Sequence, residues 1–183
     1  MGKVRRGGFV FIASKSDHRP RAAGREQAMK VRAVTVNNRR KALEVKTAKR
    51  TFLFPFAKLN PSPNAKDPIA NVFVDKEISS EGFTYVLASG REGTVHVDEV
   101  LEYNQDPDYL RDLLLYRLTL EAQKRVDTSP LSKREIIRRL GTSAAQFYRL
   151  LDQTNYKKSV DRLLSLLQVL DCHVDLVVRT KTA

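Results

Sequence analysis

The sequence predicts an α+β protein, with an N-terminal antiparallel β meander followed by a helical region that is built around a helix-turn-helix and ends in a short strand. Three patterns carry that expectation. Between residues 30 and 103, apolar residues alternate with polar ones in short runs separated by turn residues. After "NQDP" the spacing of leucines becomes helical. Further on, "SKREIIRRLGTSAAQFYRLL" places two short amphipathic segments back to back around a glycine.

Residues 1–29 hold one short strand candidate, 8–12, followed by a basic stretch containing Pro20 and Gly24. They read as a disordered basic arm or an extension ahead of a folded protein that begins near Met29. Residues 30–104 form the expected β-rich domain. "VRAVTV", "ALEV" and "TFLFPF" give three strands, the proline-rich "KLNPSPNAKDP" gives a loop, and "NVFVD", "FTYVLAS" and "TVHVD" give three more, with "GREG" as a hairpin connection. Residues 105–127 form a connecting helix. Asp106 is its cap, Pro107 its first residue, and Leu110, Leu114, Leu118 and Ala122 its repeating face.

Residues 128–183 complete the chain. Ser132 with Glu135, and Ser143 with Gln146, each have the spacing of a capping box, and Gly141 between them suits the left-handed residue that ends a helix. The result is a helix-turn-helix with Ile136, Ile137, Leu140, Phe147, Leu150 and Leu151 facing inward. A polar loop, "TNYKK", leads to a helix capped by Ser159 with Val160, Leu163, Leu164, Leu167 and Leu170 buried, and "CHVDLVV" alternates as a final strand.

Charge narrows the function. The formal net charge is +12, and residues 1–50 carry 15 Lys/Arg against 3 acids while residues 51–183 balance at 18 and 18. Residues 133–162 hold 8 basic and 3 acidic side chains, whereas residues 98–112 hold six acids and one arginine. Basic clusters of this kind suit a polyanion, and the acidic segment suits a basic partner. Cys172 is the only cysteine and His18, His96 and His173 are scattered, so neither a disulfide, a metal site nor a cofactor is expected. No apolar run approaches the roughly 20 residues of a membrane span, and a cytoplasmic protein is expected.

"IIRRLGTSAAQFYRLL" resembles the phage-repressor class of helix-turn-helix domains, the likeness covering residues 131–178. It shares the apolar pair, the turn glycine, the small polar cap and the inward apolar residue, here Phe147. That resemblance implies a second helix seated in the major groove with its first turn at the base edges. The implied DNA-binding residues are Thr142, Ser143, Ala144, Ala145, Gln146, Tyr148, Arg149 and Gln153, with Lys157 and Lys158 on phosphate. Ala144 and Ala145 let the helix N-terminus approach the duplex, and Gln146 or Arg149 can pair with adenine or guanine. Two positions depart from the pattern: Ile137 stands where alanine is usual, and Ala144 where a long polar reader is common.

The following helix and strand make this half similar to antitoxins that carry a repressor-type domain. "LFPFAKL", "NVFVD" and "GREGTVHVDEVLEY" are similar to a family of small β-rich domains of unknown function encoded beside such modules. "GGFVFIASKSDHRPR" is similar to the start of another small family encoded just upstream, which would make residues 1–28 a remnant of a neighbouring reading frame. Together these likenesses imply a sequence-specific repressor, an autoregulating antitoxin of a type II toxin-antitoxin pair. Its partners would be double-stranded DNA, a small basic toxin and a second copy of itself. The final strand would pair with its mate in that dimer or cover an edge of the β sheet.

Two rival functions compete. An enzyme lacks candidates: His96 and Asp98 share a strand face near Ser89 and Thr94, but no nucleophile turn or phosphate loop accompanies them. An RNA-binding or protein-interaction module without operator specificity would use Phe52, Phe54, Phe56, Phe83 and Tyr85 as stacking surfaces, which requires them to be exposed. Alternation places them in the core.

Overall fold

The computed structural model describes residues 30–178. The basic arm, its 8–12 strand and the upstream-frame reading fall outside the described residues. Two compact units divide the rest, one of residues 30–113 and one of residues 114–178.

The first unit contains two three-stranded antiparallel sheets rather than one continuous meander. Strands β1 (Val31–Asn37), β2 (Ala42–Thr47) and β3 (Thr51–Pro55) form one, and β4 (Ile69–Val74), β5 (Gly82–Leu87) and β6 (Glu92–His96) the other. The break is the proline-rich loop between β3 and β4, which lacks the amide donors to continue a ladder. Register sets the core: Val45 faces Phe52 and Leu43 faces Phe54 across β2 and β3, so these four point inward together. Phe83 and Tyr85 on β5 complete this core, both fully buried. Tyr85 reaches across Gly93 to donate from its hydroxyl to the Pro61 carbonyl at 2.9 Å, and a Cβ on Gly93 would collide with that ring.

The strand expected to run through "TVHVD" stops at His96, and helix α1 (Val97–Tyr103) follows, where the sequence suggested only β structure. Val97, Val100 and Leu101 are its buried face. A three-to-four spacing this short also fits a strand, so the missed helix is a case in which periodicity over two turns is ambiguous. His96 and Asp98 therefore do not share a strand face. Helix α2 (Pro107–Thr128) begins as expected: Asp106 Oδ1 accepts from the Tyr109 amide at 3.0 Å.

In the second unit, the later turns of α2 pack with α3 (Lys133–Leu140), α4 (Ala144–Leu151) and α5 (Val160–Val169). Ile136, Phe147, Leu163 and Leu166 are completely buried at the centre. Leu164, expected inside, is exposed, because its neighbours at 163, 166 and 167 take the inner face of α5. The final strand is absent. Residues 173–178 make no backbone hydrogen bond among the described residues, and a strand exists only when a neighbour supplies its ladder.

Candidate nucleic-acid interface

The helix pair is fixed locally. Ser132 Oγ accepts from the Glu135 amide and Ser143 Oγ from the Gln146 amide, each at 3.2 Å. Gly141 has φ of 63° and ψ of 42°, the left-handed geometry that lets α3 end and α4 begin three residues later. Each capping box is half formed. Glu135 turns from its cap to Arg138 (2.6 Å) and Arg139 (2.8 Å), and Gln146 Oε1 accepts instead from the Thr142 hydroxyl at 2.8 Å. The two guanidinium groups hold the Glu135 carboxyl down at about 2.

Phe147 and Leu150 anchor α4 inward, and with a turn of about 100° per residue Ala145 and Arg149 lie opposite them. Ala144, Ala145, Gln146, Tyr148 and Arg149 are all exposed, and no acidic residue occupies the first turn. The Tyr148 ring packs edge-on against Phe147, at a centroid distance of 5.5 Å, while remaining 56% exposed. A helical side chain leans toward the N-terminus, so Arg149 sweeps over Ala145 one turn earlier, and the small methyl gives it room.

The opposite end of α4 is tied down. Its last carbonyls have no partner within the helix. Asn155 Nδ2 donates to Arg149 O (3.0 Å), Lys158 Nζ to Leu150 O (3.0 Å) and Asp152 O (2.5 Å), and Gln123 Nε2 to Leu151 O (2.8 Å). Gln153 donates in turn to Gln123 Oε1 at 2.7 Å. Two residues expected at the DNA surface, Gln153 and Lys158, are thus committed to positioning α4. Burial lowers the Lys158 ammonium to about 8, against the pull of the Asp152 carboxylate. Gln123 and Asn155 belong to the site but escaped the sequence reading, because their partners are backbone carbonyls that no side-chain pattern advertises. Lys157 points outward, as expected.

Among the described residues, the charged groups of Lys133, Arg134, Arg149 and Lys157 have no hydrogen bond or ion pair. The acidic segment behaves differently. Asp108 pairs with Lys49 (2.8 Å), Asp106 with Arg50 (3.3 Å) and Asp112 with Arg111 (3.2 Å), so these three of its six carboxylates are engaged by cations of the chain itself. These pairs line a small cleft with Thr47 and Phe52. Phe52, Phe54, Phe83 and Tyr85 are buried, so they offer no stacking surface to RNA. No cluster of metal-ligating side chains occurs among the described residues, and none of their helices is long and apolar enough to cross a membrane.

Comparison of the chain with protein-family models, curated proteins and solved structures found no significant match.

Proposed function

We propose that the unit of residues 114–178 binds duplex DNA through the first turns of α4 and that the protein acts as a sequence-specific repressor rather than as a catalyst. The observation that carries this reading is a rigidly anchored helix with an open N-terminal face, free of carboxylates and accompanied by uncommitted cations. Backbone amides and the helix dipole at such an end favour phosphate, while outward side chains meet base edges. Arg149 reads a base, Lys133, Arg134 and Lys157 contact phosphate, and Lys158 and Gln153 support the reader from behind. The test is titration onto the protein's own upstream DNA against random duplex at physiological salt. Equal affinity for both removes operator specificity, and affinity that ignores salt removes the phosphate contacts.

The repressor works as a homodimer. Val174, Leu176, Val177 and Val178 lie in a segment without regular secondary structure and are all exposed, Leu176 at 82% and Val178 at 85%. Such a segment can form a backbone ladder with a second copy, setting two readers about one DNA turn apart. Leu176→Asp converts the dimer to monomer in sedimentation equilibrium; an unchanged mass removes this pairing. The antitoxin role, with a small basic toxin as partner, extends the reading through sequence resemblance alone. Co-expression with the neighbouring gene relieves growth arrest if that role is correct.

A further inference from the structure

The cations of the β-rich unit are gathered on its first sheet. Residues 30–66, which supply β1 to β3 and most of the loop after them, hold ten Lys/Arg and a single acid, Glu44. Residues 67–108, which supply β4 to β6 and α1, hold ten acids and two cations. One unit thus carries enough carboxylates to neutralise its first sheet, yet of the sheet's cations only Lys49 and Arg50 meet them, at Asp108 (2.8 Å) and Asp106 (3.3 Å). The other eight basic side chains of residues 30–66 make no ion pair or side-chain hydrogen bond among the described residues. Glu44 accepts from Asn37 Nδ2 at 2.7 Å instead of pairing with a lysine.

The charge is densest at the β1–β2 turn, where Arg39, Arg40 and Lys41 follow one another and are all exposed. Asn37 Oδ1 accepts from the Arg40 amide at 3.0 Å and Lys41 takes a φ of 47°, so the turn has a defined shape. The Lys41 carbonyl accepts from the Phe56 amide at 2.9 Å, which brings the single helical turn Phe56–Lys58, and exposed Lys58 with it, to the same end of the sheet. Like charges held together repel one another, and a bound polyanion relieves that cost.

The surroundings favour a phosphate backbone over an acidic protein. Protein interfaces are anchored by large apolar or aromatic side chains, and the exposed ones of this unit, Phe73 and Tyr103, lie on β4 and α1. On the outer face of the first sheet, Lys46 stands between Ala33 and Thr51, small neighbours that leave it open to phosphate oxygens. Docking on a membrane surface draws on exposed apolar groups as well as charge. Single strands are held by stacking on aromatic rings, and Phe52 and Phe54 are buried. A duplex, bound through its backbone alone, fits what the sheet offers.

We propose that the first sheet of the β-rich unit, led by its β1–β2 turn, is a second nucleic-acid site that binds duplex phosphate without regard to sequence. It uses none of the residues of α4 and adds affinity, not base preference.

Titration of the full chain onto random duplex over a series of salt concentrations tests this. Arg39→Ala, Arg40→Ala and Lys58→Ala combined lower the salt slope by about 2 to 3, because each phosphate contact contributes about 0.9. These side chains are exposed and unpaired, so the triple variant melts at the temperature of the parent. Lys76→Ala, which removes an exposed cation between β4 and β5, leaves the slope unchanged. An unaltered slope in the triple variant, or an equal fall per cation in Lys76→Ala, overturns the proposal. Tighter binding to phosphatidylserine vesicles than to duplex at the same salt overturns it in favour of a membrane. The two sites fail separately: without operator reading by α4 the triple variant still loses slope on random duplex, and without the sheet's phosphate contacts the preference for the upstream DNA survives.

Discussion

The two ends of α4 are handled in opposite ways. At the C-terminal end, Gln123, Asn155 and Lys158 cover the last carbonyls, and the loop that supplies two of them is drawn inward. At the N-terminal end, Ser143 and Thr142 make only short local contacts, and the residues beyond them are exposed. Fixing one end lets the other be presented without sway, the preorganisation a reader needs if its contacts are not to cost ordering entropy on binding. Under the proposed DNA-binding function, side chains at the closed end govern stability and those at the open end govern recognition.

The largest effect comes from removing what both ends share. Phe147→Ala empties the fully buried anchor and costs about 3–5 kcal/mol, read in denaturant melts, with loss of DNA binding as a consequence. An effect under about 1 kcal/mol would mean that α4 is not held by this side chain.

Lys158→Met unties the closed end. Losing its two carbonyl contacts costs roughly 1–3 kcal/mol of stability at pH 7. The lysine's pH dependence has a definite sign. Its folded value of about 8 lies below the 10.5 of the free side chain, so the unfolded chain binds more protons between those limits. This site's contribution to stability therefore rises with pH across that window. Melts from pH 7 to 10.5 show the slope in the parent protein, and its persistence in Lys158→Met would assign it elsewhere.

Arg149→Ala breaks the comparison from the open side. Stability changes by less than about 0.5 kcal/mol, while specific binding weakens by about 1–3 kcal/mol. Lys157→Ala weakens binding on every sequence and lowers the salt slope by about 1. A large loss of stability in either variant would erase the division of labour.

The smallest effect is at Glu135. Its carboxyl, lowered from 4.5 to about 2 by Arg138 and Arg139, contributes stability that is present above pH 4.5 and lost as pH falls toward 2. Glu135→Gln removes a small part of the acid sensitivity of α3. It also frees both arginines for phosphate, so nonspecific affinity rises, and a salt-dependent titration measures the gain.

Much of this arrangement was legible along the chain. Asp106, Ser132, Gly141 and Ser143 sit at the helix ends their types suggested, and the strand aromatics Phe52, Phe54, Phe83 and Tyr85 are core. That Lys158 and Gln153 hydrogen-bond back to Leu150, Asp152 and Gln123 was not legible, because a polar loop beside a basic helix looks the same whether its side chains point outward or back. Helix α1 escaped because seven residues hold too few repeats to separate a helix from a strand. The tail's alternation suggested a strand, but residues 173–178 form none and make no backbone hydrogen bond among the described residues.

The sequence by itself determined the caps, the turn and the apolar faces, since each depends on residues a few positions apart. Tertiary structure alone decided that Gln123 meets Leu151 and Gln153, that Lys158 turns back on Leu150 and Asp152, and that the β strands separate into two sheets. The physical reason is that a polar side chain's partner depends on which groups folding brings within about 3 Å of it. For Gln123 those groups lie some thirty positions along the chain, beyond the reach of any local pattern.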